Sequence, residues 1–92
     1  NIKNLALLMP AMDRGSTVSI PFTAEKDGWL YVRIWDDGNH SVSFDGHTVW
    51  STQGDEYVGD STFLPVPKGT YVTGNRVNGG YERIFYPCKG AQ

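Results

Sequence analysis

The side chain best suited to act as a nucleophile has no partner close to it in sequence. Cys88 is the single cysteine, and neither histidine lies near it along the chain. The sequence also has no Gly-x-Ser-x-Gly segment, which in hydrolases places a serine nucleophile on a sharp turn between a strand and a helix. We therefore interpret Cys88 as a small apolar core residue and identify no catalytic nucleophile.

The carboxylates available for acid–base chemistry all fall in predicted turns or loops. Glycoside hydrolysis requires two carboxyl groups that face each other across a groove, and the spacing here pairs no two of them. Aspartate is common in turns because its side chain bonds to nearby backbone groups. We expect these residues to be solvated and the protein not to be an enzyme. They are Asp36, Asp37, Asp45, Asp55, Glu56 and Asp60.

Metal ligands are equally sparse. His40 and His47 are too isolated to form a site within one chain, and the loop 36–39 (DDGN) lacks the later glutamate of an EF-hand. A trimer could bring three copies of one histidine to its axis, which the sequence leaves open. We predict no metal site within the chain and no cofactor.

Polar-tipped aromatic residues are more numerous than one small core requires. Such rings contact sugars and protein surfaces with little loss of side-chain entropy. Alternatively, these aromatic residues pack between strands or between subunits. Trp50, on a polar strand face, and Tyr57, in a loop, are the best ligand candidates, and the loop residues Asn75, Arg76 and Asn78 add hydrogen-bonding groups. The full set is Trp29, Tyr31, Trp35, Trp50, Tyr57, Tyr71, Tyr81 and Tyr86.

Composition and charge exclude several classes of protein. The net charge is −2 and the arginines are scattered, so a nucleic-acid surface is not expected. The apolar run Leu5–Met9 is shorter than the ~20 residues that span a bilayer and lacks the features of a signal peptide. The lone cysteine favours synthesis in a reducing cytosol, and a start at Asn1 indicates a piece of a longer protein.

Alternating apolar residues predict about seven or eight short strands separated by turns, which is typical of an antiparallel, jelly-roll-like β-sandwich. Ser16–Thr23 alternates with Val18, Ile20 and Phe22 on one face, and Pro21 indicates an edge position or a bulge. Trp29–Trp35 places Leu30, Val32 and Ile34 on the core face. We assign residues 16–92 to a head domain and residues 1–15 to a connecting or subunit-contact segment.

A hairpin is predicted over Ser41–Trp50. Asp45-Gly46 suits a type I′ turn, which needs two positive φ angles. A regular register beyond it gives one face of Val42, Phe44, His47 and Val49, and a polar face of Ser41, Ser43, Thr48 and Trp50.

Three stretches resemble the C-terminal tip domains of tailed-bacteriophage and prophage tail fibres. They are residues 22–32 (FTAEKDGWLYV), 65–72 (PVPKGTYV) and 84–92 (IFYPCKGAQ), of which the last is the most specific. The resemblance covers residues 16–92, and Ile2–Asp13 matches nothing in the family. It implies a homotrimer of β-sandwich heads at the fibre tip, assembled in the bacterial host cytoplasm, that binds a host-surface saccharide or protein. Receptor-binding residues vary widely among such tips, so none is transferred.

Other functions remain open. One is a trimerisation cap that sets the register of a fibre and contacts no receptor. Another is a carbohydrate-binding module of a secreted glycosidase. An esterase or glycosidase would need a catalytic constellation that the sequence does not show. A homotrimer is expected because a domain this small, without disulfides or metal, commonly gains stability from a partner subunit.

Overall fold

The structure of this protein is a computed structural model that describes residues 2–54 and 59–91. The described chain begins with a short helix, α1 (Ile2–Leu8), and a 3₁₀ turn (Met12–Arg14). The strands follow as β1 (Ser16–Thr17), β2 (Phe22–Thr23), β3 (Gly28–Ile34), β4 (Gly38–Phe44), β5 (His47–Gly54), β6 (Asp60–Val66), β7 (Tyr71–Asn75) and β8 (Glu82–Pro87).

The strands form two antiparallel sheets, in the orders β1-β8-β3-β6 and β2-β7-β4-β5. This confirms the predicted all-β sandwich. The core lies between the sheets because each contributes one face of aliphatic side chains. Leu30, Val32 and Ile34 of β3 are completely buried, as predicted from their alternation, and they share the core with Val42 of β4 and Val72 of β7.

The alternating segment Ser16–Thr23 is divided between the two sheets. β1 is an edge strand of one sheet and β2 is an edge strand of the other, so the chain crosses the sandwich between them. Pro21 lies at this crossing, where its missing amide donor costs no ladder hydrogen bond. Val18, Ile20 and Phe22 all pack against the core, as their shared face predicted.

The Asp45-Gly46 turn is confirmed, but the strand register beyond it was predicted wrongly. Asp45 and Gly46 have φ angles of 50° and 86°, and Phe44 pairs with His47. A β-bulge then shifts the register, so that Val42 pairs with Trp50 and leaves Val49 as the extra residue. Because one extra residue exchanges the two faces of a strand, Val49 is exposed and Trp50 packs against the core.

The segment before β1 is joined to the end of β8. The amides of Gly90 and Lys89 donate to the main-chain oxygens of Leu7 (3.0 Å) and Met9 (2.9 Å), and the amide of Ala11 donates to Pro87 (2.8 Å). Residues 2–15 therefore contact the sandwich at the end where β8 finishes.

Candidate binding site

Three connections leave the sandwich at the same end. Pairing of Ile34 with Asp60 and of Gly38 with Gly54 brings the β3–β4 loop beside the ends of the β5–β6 connection. Pairing of Arg33 with Glu82 brings the start of β8, and hence the β7–β8 loop, to the same place. Recognition residues of sandwich folds commonly lie on such loop clusters because the sheets hold the loops rigidly.

At this end Trp35 is the most exposed aromatic side chain among the described residues. It follows the last residue of β3 and is 40% exposed. Its ring meets the Tyr81 ring edge-to-face, with the centroids 5.6 Å apart. The guanidinium carbon of Arg33, two residues earlier on the same face, lies 5.7 Å from the centre of the Trp35 ring. These contacts pack the indole against Tyr81 and Arg33 at the surface.

Asp36 supplies a carboxylate beside these rings. Its Oδ2 accepts a hydrogen bond from the Tyr81 hydroxyl at 2.9 Å and from Arg76 Nη2 at 3.2 Å. The hydrogen bond from Tyr81 holds the pKa of Asp36 below its ordinary value against the opposing effect of desolvation, and a backbone hydrogen bond at Asp37 and the positive charge of Arg76 contribute less. The pKa of Tyr81 is raised, first by desolvation and then by its bond to Asp36.

His40, completely buried beneath the surface, joins the two loops. Its Nδ1 lies 2.6 Å from the main-chain oxygen of Arg76, and its Nε2 lies 3.1 Å from that of Asp36. The imidazole also packs edge-to-face on Tyr81 at 5.4 Å. The two residues that form the ion pair therefore have their backbones tied to one buried ring. We call Arg33, Trp35, Asp36, Arg76 and Tyr81 the loop cluster.

The loop cluster presents chemistry suited to a hydroxylated ligand. An aromatic face can stack on the C–H face of a sugar ring, while carboxylate and guanidinium groups exchange hydrogen bonds with hydroxyl groups. Because the Asp36 carboxylate is held ionised by two donors, it acts as a hydrogen-bond acceptor rather than a proton donor. The arrangement therefore favours binding over acid catalysis.

The structure places the predicted ligand residues in different environments. Arg76 belongs to the loop cluster, and Asn75 lies next to it, where its amide donates to the main-chain oxygen of Asn39 at 2.9 Å. Asn78 is occupied structurally, since its side chain bonds to both the amide and the carbonyl of Ile20.

Of the two predicted aromatic ligands, Trp50 does not join this cluster. Trp50 was expected on a polar face, and this placement was wrong because the bulge turns it toward the core. Tyr57 lies outside the described residues.

Sequence reasoning missed most of the loop cluster. Trp35 and Tyr81 were counted only among the excess aromatics, and Asp36 was interpreted as a solvated turn residue. The available signal was an aromatic-acidic pair at the end of the most regular strand, Trp35-Asp36. Their contact with Arg76 joins residues 40 positions apart, which local patterns do not encode.

A second surface is apolar. The outer face of the β1-β8-β3-β6 sheet carries Tyr31 and Phe63, whose ring centroids lie 4.9 Å apart, and Tyr86, 6.0 Å from Phe63. Trp29 on the same face donates its indole N–H to the main-chain oxygen of Leu8 at 2.7 Å. Beyond it, α1 and the residues after it expose Leu5, Leu7, Leu8, Met9 and Met12. We call Trp29, Tyr31, Phe63, Ile84 and Tyr86 the aromatic face.

Within residues 2–54 and 59–91, no group of His, Cys, Asp and Glu side chains is arranged to hold a metal ion. No helix in this part of the chain has the length and apolar character needed to cross a membrane. Comparison of the chain with protein-family models, with curated proteins and with solved structures found no match.

Proposed function

We propose that this domain is a non-enzymatic receptor-binding head of a phage tail fibre, which attaches the virion to a saccharide on the host surface through the loop cluster. The observation that carries the proposal is the exposed Trp35 ring beside the Asp36–Arg76 ion pair, whose side chains lie 3.2 Å apart. An aromatic ring that can stack on a ligand and groups that can form hydrogen bonds therefore lie together at one place on the protein surface.

Preorganisation of the cluster supports this function. Tyr81 contacts Trp35, Asp36 and His40, and His40 in turn holds the backbones of Asp36 and Arg76. A site whose side chains are already fixed loses little conformational entropy when a ligand binds.

The position of the cluster also supports attachment. Helix α1 contacts the start of β3 through Trp29 and the end of β8 through Gly90. The loop cluster lies at the other end of these strands, beside Ile34 and Glu82. A head held at the α1 end would present the cluster outward.

The test is binding of the domain to an array of bacterial surface polysaccharides. We expect Trp35→Ala to weaken binding by about 1–3 kcal/mol, because the stacking surface is removed while the core is untouched. Tyr71→Ala is the matched control, since Tyr71 is an exposed aromatic residue beside Asp45 at the opposite end of the sandwich. Equal binding by wild type and Trp35→Ala would count against the loop cluster as the receptor site.

A trimerisation cap is the second candidate, and the aromatic face with the exposed side chains of α1 favours it. Light scattering should give a homotrimer, because a monomer would leave this apolar surface in water. Met12→Glu places a charge at an exposed apolar position and should dissociate the assembly if this region is buried between subunits. A wild-type monomer at micromolar concentration contradicts the trimer. A stable trimer that binds no polysaccharide favours the cap over the receptor-binding head.

A further inference from the structure

We infer that Arg33 is an anion-binding residue, and that the saccharide bound at the loop cluster carries an anionic group, either a carboxylate or a phosphate. The inference rests on the proposed function, because it names the class of ligand for the same site. It starts from the hydrogen bonds of the arginines.

Three of the arginines use their guanidinium groups within the protein. Arg14 donates to the main-chain oxygens of Cys88 and Lys89, and Arg76 pairs with Asp36. Arg83 is buried between the sheets and donates to several main-chain oxygens, at 2.9 Å from Val18 and 2.8 Å from Tyr81. Each of these groups has a structural partner.

Arg33 differs from them. It is exposed, and its guanidinium group forms no hydrogen bond or ion pair with any side chain or carbonyl of residues 4–54 and 59–91. Its guanidinium carbon lies 5.7 Å from the centre of the Trp35 ring, within the range of a cation–π interaction, and its Nε lies beside Gly59. Within this part of the chain, the charged group is therefore positioned by an aromatic ring, and no carboxylate pairs with it.

In this position the hydrogen-bonding edge of Arg33 is not used by any residue of the described ranges 4–54 and 59–91. A guanidinium group carries its N–H donors in its own plane, in a fork that fits the paired oxygens of a carboxylate or a phosphate. Arginine loses less freedom than lysine on making such a pair, because the fork is planar and here rests on a ring. A sugar that stacks near Trp35 would bring an acidic substituent within reach of this fork.

Two carboxylates of the described residues lie near Arg33, and neither of them pairs with it. Asp36 is compensated by Arg76 and by the Tyr81 hydroxyl. Glu82 lies directly opposite Arg33 in the β3–β8 register, yet no ion pair joins them. Glu82 therefore opposes an incoming anion through its charge without occupying the donors of Arg33, and its removal should strengthen anion binding.

The experiment is an NMR titration of the intact domain with methyl glucuronide, glucose 6-phosphate, methyl glucoside and inorganic phosphate. The reporters are the Arg33 Nε–H and Trp35 Nε1–H resonances. We expect at least one of the two anionic sugars to bind about tenfold more tightly than methyl glucoside, because hydrogen bonds between charged groups are the stronger class. The anionic sugar that binds more tightly identifies the preferred anionic group as carboxylate or phosphate.

Three variants test the role of Arg33. Arg33→Gln should remove the preference for the anionic sugar, and Glu82→Gln should increase it. Arg14→Gln is the matched control, because it removes the same charge at the far end of β8 and should leave the preference unchanged. Retention of the preference in Arg33→Gln overturns the inference.

The outcomes separate this inference from the proposed function. Equal binding of methyl glucoside and both anionic sugars overturns the anion-binding role of Arg33 and leaves saccharide recognition standing. Inorganic phosphate bound as tightly as glucose 6-phosphate, without a shift of Trp35, supports an anion site and contradicts sugar recognition. Absence of binding by every probe and by the polysaccharide array overturns both.

Discussion

His40 Nδ1 lies 2.6 Å from the main-chain oxygen of Arg76, and this contact joins the β7–β8 loop to a ring buried in β4. The other ring nitrogen contacts the main-chain oxygen of Asp36 in the β3–β4 loop at 3.1 Å. One side chain thus sets the separation of the two loops that carry the ion pair. The consequence is that stability and recognition should both depend on His40.

Replacement of His40 by leucine should lower the free energy of unfolding by about 2 kcal/mol or more, because it removes the ring N–H donor and leaves a main-chain oxygen at a buried site without a partner. Urea denaturation measures this loss. His47→Leu is the control, since His47 is exposed next to the hairpin turn and should change stability little. Polysaccharide binding should also weaken in His40→Leu at temperatures where the variant remains folded. Unchanged stability would contradict the structural role of the imidazole.

The Tyr81 hydroxyl controls the ionisation of Asp36. Because the pKa of Asp36 in the folded protein lies below its ordinary value of 3.8, ionised Asp36 stabilises the fold above that pH. The contribution is lost as the pH falls through the lower, folded-state pKa. Tyr81→Phe removes the donor, so the pKa of Asp36 should rise and the acid-dependent loss of stability should become smaller. A carboxyl ¹³C titration measures the pKa directly, with Tyr31→Phe on the aromatic face as control, and an unchanged pKa in Tyr81→Phe would refute this assignment.

Trp50 should contribute to stability and not to binding. The bulge directs its ring to the core, so Trp50→Ala should cost about 2 kcal/mol, below the value for a fully buried tryptophan. Trp35→Ala should show the reverse, with weaker polysaccharide binding and a nearly unchanged free energy of unfolding. Chemical denaturation and array binding of both variants provide the comparison. Loss of binding by a fully stable Trp50→Ala variant would return Trp50 to the ligand site.

The hairpin turn should reject a β-branched residue at position 46. Gly46 has a φ of 86°, and a Cβ atom added to it would have no other atom within 4 Å. The penalty in Gly46→Val is therefore backbone strain alone, about 1 kcal/mol or more. Gly46→Asn should lose much less stability than Gly46→Val, because asparagine tolerates the left-handed region of backbone conformation. Thermal melting distinguishes the two, and an equal melting temperature for valine and wild type would show that the turn relaxes.

Local patterns were sufficient for the central strand β3 and for the hairpin turn. Leu30, Val32 and Ile34 alternate with polar and aromatic residues, and the period of two alone assigns them to the core face. Asp45-Gly46 predicts its turn because few other residue pairs accept two positive φ angles. Both signals are contained within a few consecutive residues.

The register beyond the turn and the composition of the binding site were decided by tertiary structure. Val49 and Trp50 are both apolar, so the sequence permits either to face inward, and packing between the sheets selects Trp50 by means of a bulge. The loop cluster unites Asp36 with Arg76 and Tyr81, which are 40 and 45 residues away.

The sequence by itself therefore determined the alternating strands, the type I′ turn and the all-β class, because each depends on local backbone preference and on burial of one strand face. Only the tertiary structure decided that His40 is a buried link between loops and that Trp35 lies beside an ion pair. These contacts arise when antiparallel pairing brings the ends of distant strands together, and the positions of those ends depend on the registers of the whole sandwich.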